Sequence, residues 1–235
     1  TDALADVAAN AAVEGADISY GTMAPTVLEN NHTQISTKGI QVTATNEAVT
    51  SAGRNNEMAY QVAKAAKELK RDMETALLSN VAKTAGNATT ARKLGGCPTW
   101  YETNVDAGAG GSGSGNGAIR TDGTQRAFTE DQLKGILVSC YNEGGNPNMI
   151  MVNAFNKQKL SGFTGGSTRF DAAEDRRLIT SIDVYESDFG TMQVSPNRFI
   201  RGANGTAAKI GQDAHILDME YWAVSFLRDF ALQTP

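Results

Sequence analysis

Cysteine, histidine and long hydrophobic runs are scarce in this sequence. Its 235 residues include 2 Cys, at positions 97 and 140, and 2 His, at positions 32 and 215. These numbers exclude a disulfide-stapled scaffold and a histidine-rich metal site. No apolar stretch approaches the ~20 residues that span a bilayer, so no membrane partner is expected.

A surplus of positive charge is also missing. The chain carries 21 Lys+Arg against 26 Asp+Glu, a formal net charge of -5, which argues against a polybasic nucleic-acid binder. Hydrophobic residues make up 40% and charged residues 20%, as is usual for a folded globular protein. The length allows one large domain or two small ones.

The first 37 residues contain no Lys or Arg. Because the remaining residues carry equal numbers of basic and acidic side chains, all the net charge lies in this segment. Such an acidic segment, with few large apolar residues, cannot build a core of its own. It is either a solvated tail or an extended arm that lies on a basic surface, its own or a partner's. Its acidic residues are Asp2, Asp6, Glu14, Asp17 and Glu29.

The next two segments have clear periodicity. Apolar and polar residues alternate over 35–45, which predicts a half-buried strand. Over 54–85 the apolar residues recur at helical spacing, which predicts an amphipathic helix roughly 48 Å long that ends at Gly86. The opposite face of this helix is either solvated or a docking face for an acidic partner. Three basic residues lie together on it: Lys64, Lys67 and Arg71.

The central part of the chain predicts alternating helices and strands. Thr129 and Gln132 form a capping box before a helical stripe that extends to Tyr141. A short buried strand is predicted over 149–152 and a second helix over 153–160. A hairpin around residues 187–190, a helix–strand–helix unit and the earlier elements together predict an α+β fold. The segment 215–230 fits a helix and a strand equally well.

Chemical motifs are absent. The segment GAGGSGSGNG at 108–117 predicts a flexible, exposed loop. It contains a GxGxxG match, but another turn rather than a helix follows, so no nucleotide cofactor is expected. No CxxC, HExxH, Walker A or Ser-His pattern is found, and Cys140 falls on a packed helical stripe. The sequence therefore predicts no catalytic residue, no metal, no cofactor and no enzymatic activity.

The order of these features resembles the major capsid proteins of tailed bacteriophages, which have the HK97-like fold. The resemblance extends over nearly the whole chain, and its clearest parts are TDALA at 1–5, RNNEMAYQVAKAAKELKRD at 54–72, NAFNKQKLSGF at 153–163 and YESDFG at 185–190.

The resemblance implies a subunit with named parts. These are an extended loop at 1–36 that reaches over a neighbour, a peripheral domain at 37–105 with its spine helix at 54–85, an axial domain at 106–228, and the start of a return to the peripheral domain at 229–235. Neither the family's N-terminal arm nor its final strand is expected in this chain, which suggests a fragment.

The same resemblance implies a structural protein of the virion. Its partners would be other copies in hexamers and pentamers, packaged double-stranded DNA on the inner face, and scaffold, portal and decoration proteins. The subunit would assemble in the host bacterial cytoplasm, with the acidic arm of one copy on the basic face of the next copy's spine helix. Because the first Lys is Lys38, beyond the arm, covalent cross-linking is not expected.

Three alternatives remain open on the sequence. An encapsulin-type nanocompartment shell would share the fold but enclose enzyme cargo and no DNA. A small nucleotide-binding enzyme would use the GxGxxG match. A monomeric binding module would stay at its own mass of 24.9 kDa in solution.

Overall fold

A computed structural model of the chain describes residues 9–18, 20–22, 25–49, 53, 56–163, 183–200, 213–228 and 231. The chain divides into two units, Thr1–Asn30 and Asn31–Pro235. The described residues of the first unit form no helix or strand, and a turn closes where the Ala16 N–H donates to the Val13 carbonyl at 3.0 Å. This agrees with an acidic segment that builds no core of its own.

The second unit contains four helices, a short 3-10 helix and one sheet among its described residues. In chain order these are α1 (Ala44–Ala48), α2 (Glu57–Leu77), the 3-10 helix (Cys97–Trp100), α3 (Glu130–Asn142), β1 (Met149–Val152), α4 (Ala154–Ser161), β2 (Val184–Ser187), β3 (Gly190–Pro196) and β4 (Ala214–Leu217).

Helix α2 is shorter than the 54–85 that the periodicity predicts. It has 21 residues, roughly 31 Å, and begins after Asn56, whose side chain accepts from the Ala59 N–H at 2.7 Å. It ends at Leu77 because Asn80 is held outside the helix by two hydrogen bonds of 3.0 Å with the backbone of Arg120. Gly86 is therefore not the helix stop.

The strand predicted over 35–45 is wrong for the described chain. Residues 35–43 belong to no strand, and the last two predicted positions start helix α1. A ladder needs a second strand alongside, and none of the described strands pairs with this segment. The alternation survives only as a side-chain pattern, in which Ile40 and Val42 are half-buried and the residues beside them are exposed.

The sheet has the order β2-β3-β1-β4. Strands β2 and β3 form the predicted hairpin, β3 pairs with β1 in parallel, and β4 pairs with β1 antiparallel. The register places Ile150 opposite Val194 on one side and opposite Ile216 on the other. These apolar residues therefore share one face of the sheet, because side chains point to the same face at every second position.

Helices α3 and α4 cover that apolar face. The capping box of Thr129 and Gln132 is formed, and Asn153 caps α4 by accepting from the Asn156 N–H at 2.8 Å, as the sequence predicts. The prediction of an α+β fold is thereby confirmed. The buried core consists of Leu133, Leu137, Ile150, Val152, Leu160, Met192 and Val194.

The glycine-rich segment is packed, which corrects the prediction of a flexible, exposed loop. The Ser114 N–H donates to the Tyr101 carbonyl at 2.9 Å, and Gly117 is buried, with its N–H on the Thr99 carbonyl at 3.1 Å. A Cβ at Gly113 would lie 2.5 Å from the carbonyl oxygen of Glu102. Glycine is needed here because another stretch of backbone approaches too closely for a side chain.

The segment 215–230 resolves into two parts. Its first residues belong to β4, and from Asp218 to Arg228 the described chain is irregular, neither helix nor longer strand. Residues 164–182 and 201–212 lie outside the described residues, as does all of 229–235 except Ala231.

Candidate assembly surface

Helix α2 is the least covered of the long helices in the described chain. None of its 21 residues is fully buried. The apolar stripe that the sequence predicts is only half-buried at Val62, Leu69 and Met73, and Met58 is exposed. Because an amphipathic helix is stabilised mainly by burial of its apolar face, this helix leaves contact area for another partner.

The three predicted basic residues of α2 are exposed and lie close together along the helix. Nζ of Lys64 lies 3.9 Å from Oε1 of Glu68. Nζ of Lys38 forms a second ion pair with Glu68, 3.1 Å from Oε2. The hydrogen bond from Lys38 is the main cause that lowers the pKa of the Glu68 carboxyl. Desolvation opposes it, and the charges of Lys38, Lys64 and Arg71 lower the pKa further. Lys67 and Arg71 form no ion pair with a described residue. Part of the positive charge on this face is thus unmatched by any described carboxylate.

The acidic residues of the arm are only partly described. Glu14, Asp17 and Glu29 are exposed, whereas Asp2 and Asp6 lie outside the described residues. The predicted arm-to-helix contact joins different copies of the chain and stays a prediction.

The arm also exposes several large apolar side chains, and its amino-acid composition does not reveal this exposure. Tyr20 is 93% exposed and Leu28 is 94% exposed. Val13, Ile18 and Val27 are exposed to a similar degree. Full burial of one such side chain contributes about 1.5–3 kcal/mol, more than an exposed ion pair. Their spacing carries no helical or strand period, which is why the sequence pattern did not reveal them.

A groove of about 570 Å³ lies between the segment 38–43 and helix α2. On one side it is lined by the chain from Lys38 to Thr43, and on the other by α2 residues that include Gln61, Ala65 and Glu68. Both polar and apolar side chains line it. The groove is open to solvent along the same helix that carries the basic face.

A buried polar chain links the 3-10 helix to strand β4. Sγ of Cys97 lies 2.8 Å from the hydroxyl of Tyr101, which lies 3.2 Å from Nδ1 of His215. Burial raises the pKa of the Cys97 thiol to about 11, and desolvation lowers the pKa of His215 to about 4. The thiol and the imidazole are therefore both uncharged at neutral pH, which makes Cys97 a poor nucleophile.

A second cavity, of about 510 Å³, lies between the 100–108 and 120–126 loops, α3 and β4. Its lining includes the ion pair between Arg120 and Asp213 at 2.5 Å and the pair between Arg126 and Asp106. Each guanidinium is matched by a carboxylate, so the described residues that line the cavity offer no unpaired positive charge to a ligand.

The described residues contain no group of three or more His, Cys, Asp or Glu side chains placed to hold a metal ion. In the same part of the chain, no helix is both long enough and apolar enough to cross a bilayer.

Comparison with known proteins tests the resemblance to phage major capsid proteins. The sequence profile of the SU10 major capsid protein family matches residues 1–234. A protein described as "Major capsid protein" from Escherichia phage Phieco32 is 47% identical over 85 residues, which is 36% of this chain and 24% of that protein. The aligned region thus spans about a quarter of the relative's length. These matches confirm the resemblance to phage major capsid proteins: the chain belongs to the SU10 major capsid protein family.

Proposed function

We propose that this chain is the structural subunit of an icosahedral phage head and that it has the HK97-like fold. In this proposal residues 1–36 form the extended loop, 37–105 the peripheral domain, 106–228 the axial domain, and 229–235 the start of the return to the peripheral domain. Helix α2 is the spine helix. The match to a capsid-protein family along residues 1–234 is the observation that carries the proposal.

Self-association is the activity that such a subunit needs. A stable interface between permanent partners buries roughly 2,000 Å² or more, largely apolar. The half-buried stripe of α2 and the exposed apolar side chains of the arm provide surface of this kind. Neither surface finds a full partner among the described residues of its own unit.

In this proposal, charge determines how the arm of one copy aligns along the spine helix of the next. The arm docks on an adjoining copy, with its five carboxylates facing the three basic residues of the spine helix. Each exposed ion pair contributes only about 0.2–1 kcal/mol, so burial of arm residues such as Leu28 supplies most of the affinity. The ion pairs exclude wrong registers, and their contribution weakens as salt is added. The shell is held by non-covalent contacts.

The partners follow from the same role. Copies of the chain form hexamers and pentamers in the virion, with packaged double-stranded DNA on the inner face, and scaffold, portal and decoration proteins attach to them. Assembly takes place in the host bacterial cytoplasm. The chain acts through geometry and carries out no catalysis.

Expression of the full-length capsid protein in bacteria tests this proposal. Light scattering and negative-stain electron microscopy should show closed particles of uniform diameter. A species that stays at the mass of one subunit at every protein and salt concentration would overturn the proposal. Co-purifying proteins are the second measurement, because an encapsulin-type shell would contain an enzyme as cargo.

A further inference from the structure

The side chain of Asn31 pairs with the backbone of Gly95 through two hydrogen bonds. Nδ2 of Asn31 donates to the Gly95 carbonyl at 3.1 Å, and the Gly95 N–H donates to Oδ1 of Asn31 at 2.8 Å. The side-chain amide thus offers the same donor and acceptor as the peptide group of a neighbouring strand. Because the two residues are 64 positions apart, the contact ties the start of the second unit to a distant part of the same unit.

Gln34 adds a longer contact beside the first. Its Oε1 accepts from the Leu94 N–H at 3.4 Å, so two side-chain amides hold consecutive backbone groups. We call Asn31 and Gln34 together the latch. Over the described positions between 9 and 28, by contrast, the turn from Val13 to Ala16 is the only hydrogen bond.

The backbone that receives the latch is closely packed. Gly95 and Gly96 are buried, and a Cβ at Gly96 would clash with the carbonyl oxygen of Ser79, just beyond the end of α2. Nε1 of Trp100 donates to the Gly95 carbonyl at 3.3 Å, and this is the oxygen that Asn31 also holds. The latch therefore attaches to a point that cannot shift without disturbing the packed backbone.

The latch determines how loosely the arm is tethered. Beyond it, the next hydrogen bond or ion pair from this described segment to another part of the chain is that of Lys38 with Glu68, at 3.1 Å. Loss of the latch would thus add about seven free residues to the arm, whose ends lie roughly 15 Å apart on average. A shift of one residue along an extended chain is only about 3.3 Å. The latch removes a positional spread several times larger than that shift.

We infer that Asn31 is a positioning residue for assembly, because its latch fixes the point at which the arm joins the second unit. The boundary between the two units falls directly before Asn31, which supports this role. The inference rests on the proposed capsid function and adds the residue that holds the root of the arm within its own copy. A fixed root lowers the entropy lost on docking and raises the effective concentration of the arm at its partner.

Amide hydrogen exchange on unassembled full-length capsid protein measures the latch itself. The Gly95 N–H donates to Asn31, whereas the Gly96 N–H donates to the Val81 carbonyl at 3.1 Å and serves as the internal control. Asn31→Ala should speed exchange at Gly95 by about tenfold or more and leave Gly96 within about twofold of wild type. Equal exchange at Gly95 in the variant and the wild type would overturn the latch.

Particle assembly measures the positioning role. Asn31→Ala should lower the yield of closed particles by about fivefold or more and broaden their diameters, while the subunit melts within about 2 °C of wild type. Asn80→Ala is the matched control, because Asn80 also forms two hydrogen bonds, each of 3.0 Å, with a distant backbone, that of Arg120. It should lower the melting temperature by about 3 °C or more and still give particles of wild-type diameter where the subunit is folded.

An insertion tests the same role with the latch left in place. About six Gly and Ser residues between Asn30 and Asn31 loosen the root of the arm, so the yield should fall as in Asn31→Ala. If Asn31→Ala melts well below wild type, the insertion variant decides the outcome. Wild-type yield and diameter from the insertion variant overturn the positioning role and leave the capsid function intact. A wild-type protein that forms no particles overturns the capsid function and the positioning role with it.

Discussion

The hydroxyl of Tyr101 lies 3.2 Å from Nδ1 of His215, so the residue that follows the 3-10 helix is tied to strand β4 by a side-chain hydrogen bond. His215 is 1% exposed, and its Nε2 has no hydrogen-bond partner among the described residues. Desolvation lowers the pKa of His215 to about 4, an effect that Asp213 opposes and Arg120 adds to. The imidazole is neutral in the native protein at pH 7.

Because His215 is buried in its neutral form, we predict that the folded protein loses stability in acid. An unfolded chain binds a proton on His215 with a pKa near ~6.5, whereas the native protein excludes it until about pH 4. The unfolded state therefore gains protons first, and the free energy of unfolding should fall as the pH drops from 6.5 to 4, by up to roughly 3 kcal/mol. Urea unfolding of the full-length protein between pH 7.5 and pH 4.5 measures this loss.

The two histidines of the sequence provide a matched pair of variants for this prediction. His215→Gln should flatten the dependence of stability on pH in this range, whatever its effect at pH 7.5. His32→Gln should leave the dependence as in wild type, because His32 is only half-buried and lies apart from the Cys97–Tyr101–His215 hydrogen-bond chain. An unchanged slope in His215→Gln would contradict the assignment.

Close packing of the glycine-rich segment predicts that Gly113→Ala is destabilising. The added Cβ would lie 2.5 Å from the carbonyl oxygen of Glu102 and 2.6 Å from that of Tyr101. Overpacking of this kind costs about 1–3 kcal/mol. Deletion of residues 110–115 should likewise destabilise the subunit, since it removes the Ser114 contacts. Thermal melting of the purified protein measures both changes.

Gly135 is the matched control for that substitution. It lies exposed inside α3, and a Cβ there would meet no atom within 4 Å. Gly135→Ala should raise stability by up to about 1 kcal/mol, because alanine favours the helix. If Gly113→Ala were as well tolerated as Gly135→Ala, the segment would be the loose loop that its composition suggests.

A side-chain hydrogen bond between Asn197 and Glu74 predicts energetic coupling between the end of β3 and helix α2. Nδ2 of Asn197 donates to Oε1 of Glu74 at 2.8 Å in a partly buried setting. A double-mutant cycle of Asn197→Ala and Glu74→Ala should give a coupling energy of about 1 kcal/mol. Asn197→Ala alone should cost more than Glu74→Ala, because Asn197 also accepts from the Phe199 N–H at 2.8 Å. Additive effects in the cycle would contradict the bond.

Charge reversal on α2 tests the docking face. Replacing Lys64, Lys67 and Arg71 together with Glu should lower the yield of closed particles at least fivefold at low salt, while the subunit still folds. The reversal places like charges near Glu68 on the same helix, so the melting temperature is measured alongside the yield.

Replacement of the same three residues with Gln is the control for that reversal. It removes the positive charge without adding repulsion and should give an intermediate yield. Particle yields are counted on electron micrographs at two salt concentrations. Wild-type yield from the Glu triple variant at low salt would exclude the basic face as the docking site of the arm.

Local patterns in the sequence predicted the elements that depend on near neighbours. The capping box at Thr129, the cap at Asn153 and the β2–β3 hairpin are all formed, because each rests on residues a few positions apart. The family resemblance was also available from the sequence. Helix α2 was recognised from its stripe, although its end was placed too late.

Features that depend on distant residues were not predictable from local patterns. The end of α2 is decided by Asn80 and the backbone of Arg120, 40 residues apart. The segment 35–42 has strand alternation, but pairing requires an edge that the described chain does not offer it.

By itself, then, the sequence determined the existence of helices α2, α3 and α4, the hairpin, the acidic arm and the family. Only the tertiary structure decided that the glycine-rich segment is packed, that His215 is buried against Tyr101, and that the 35–42 backbone pairs with none of the described strands. The physical reason is range: caps, turns and periodicity act over a few residues, whereas burial and strand pairing depend on which distant segments come together.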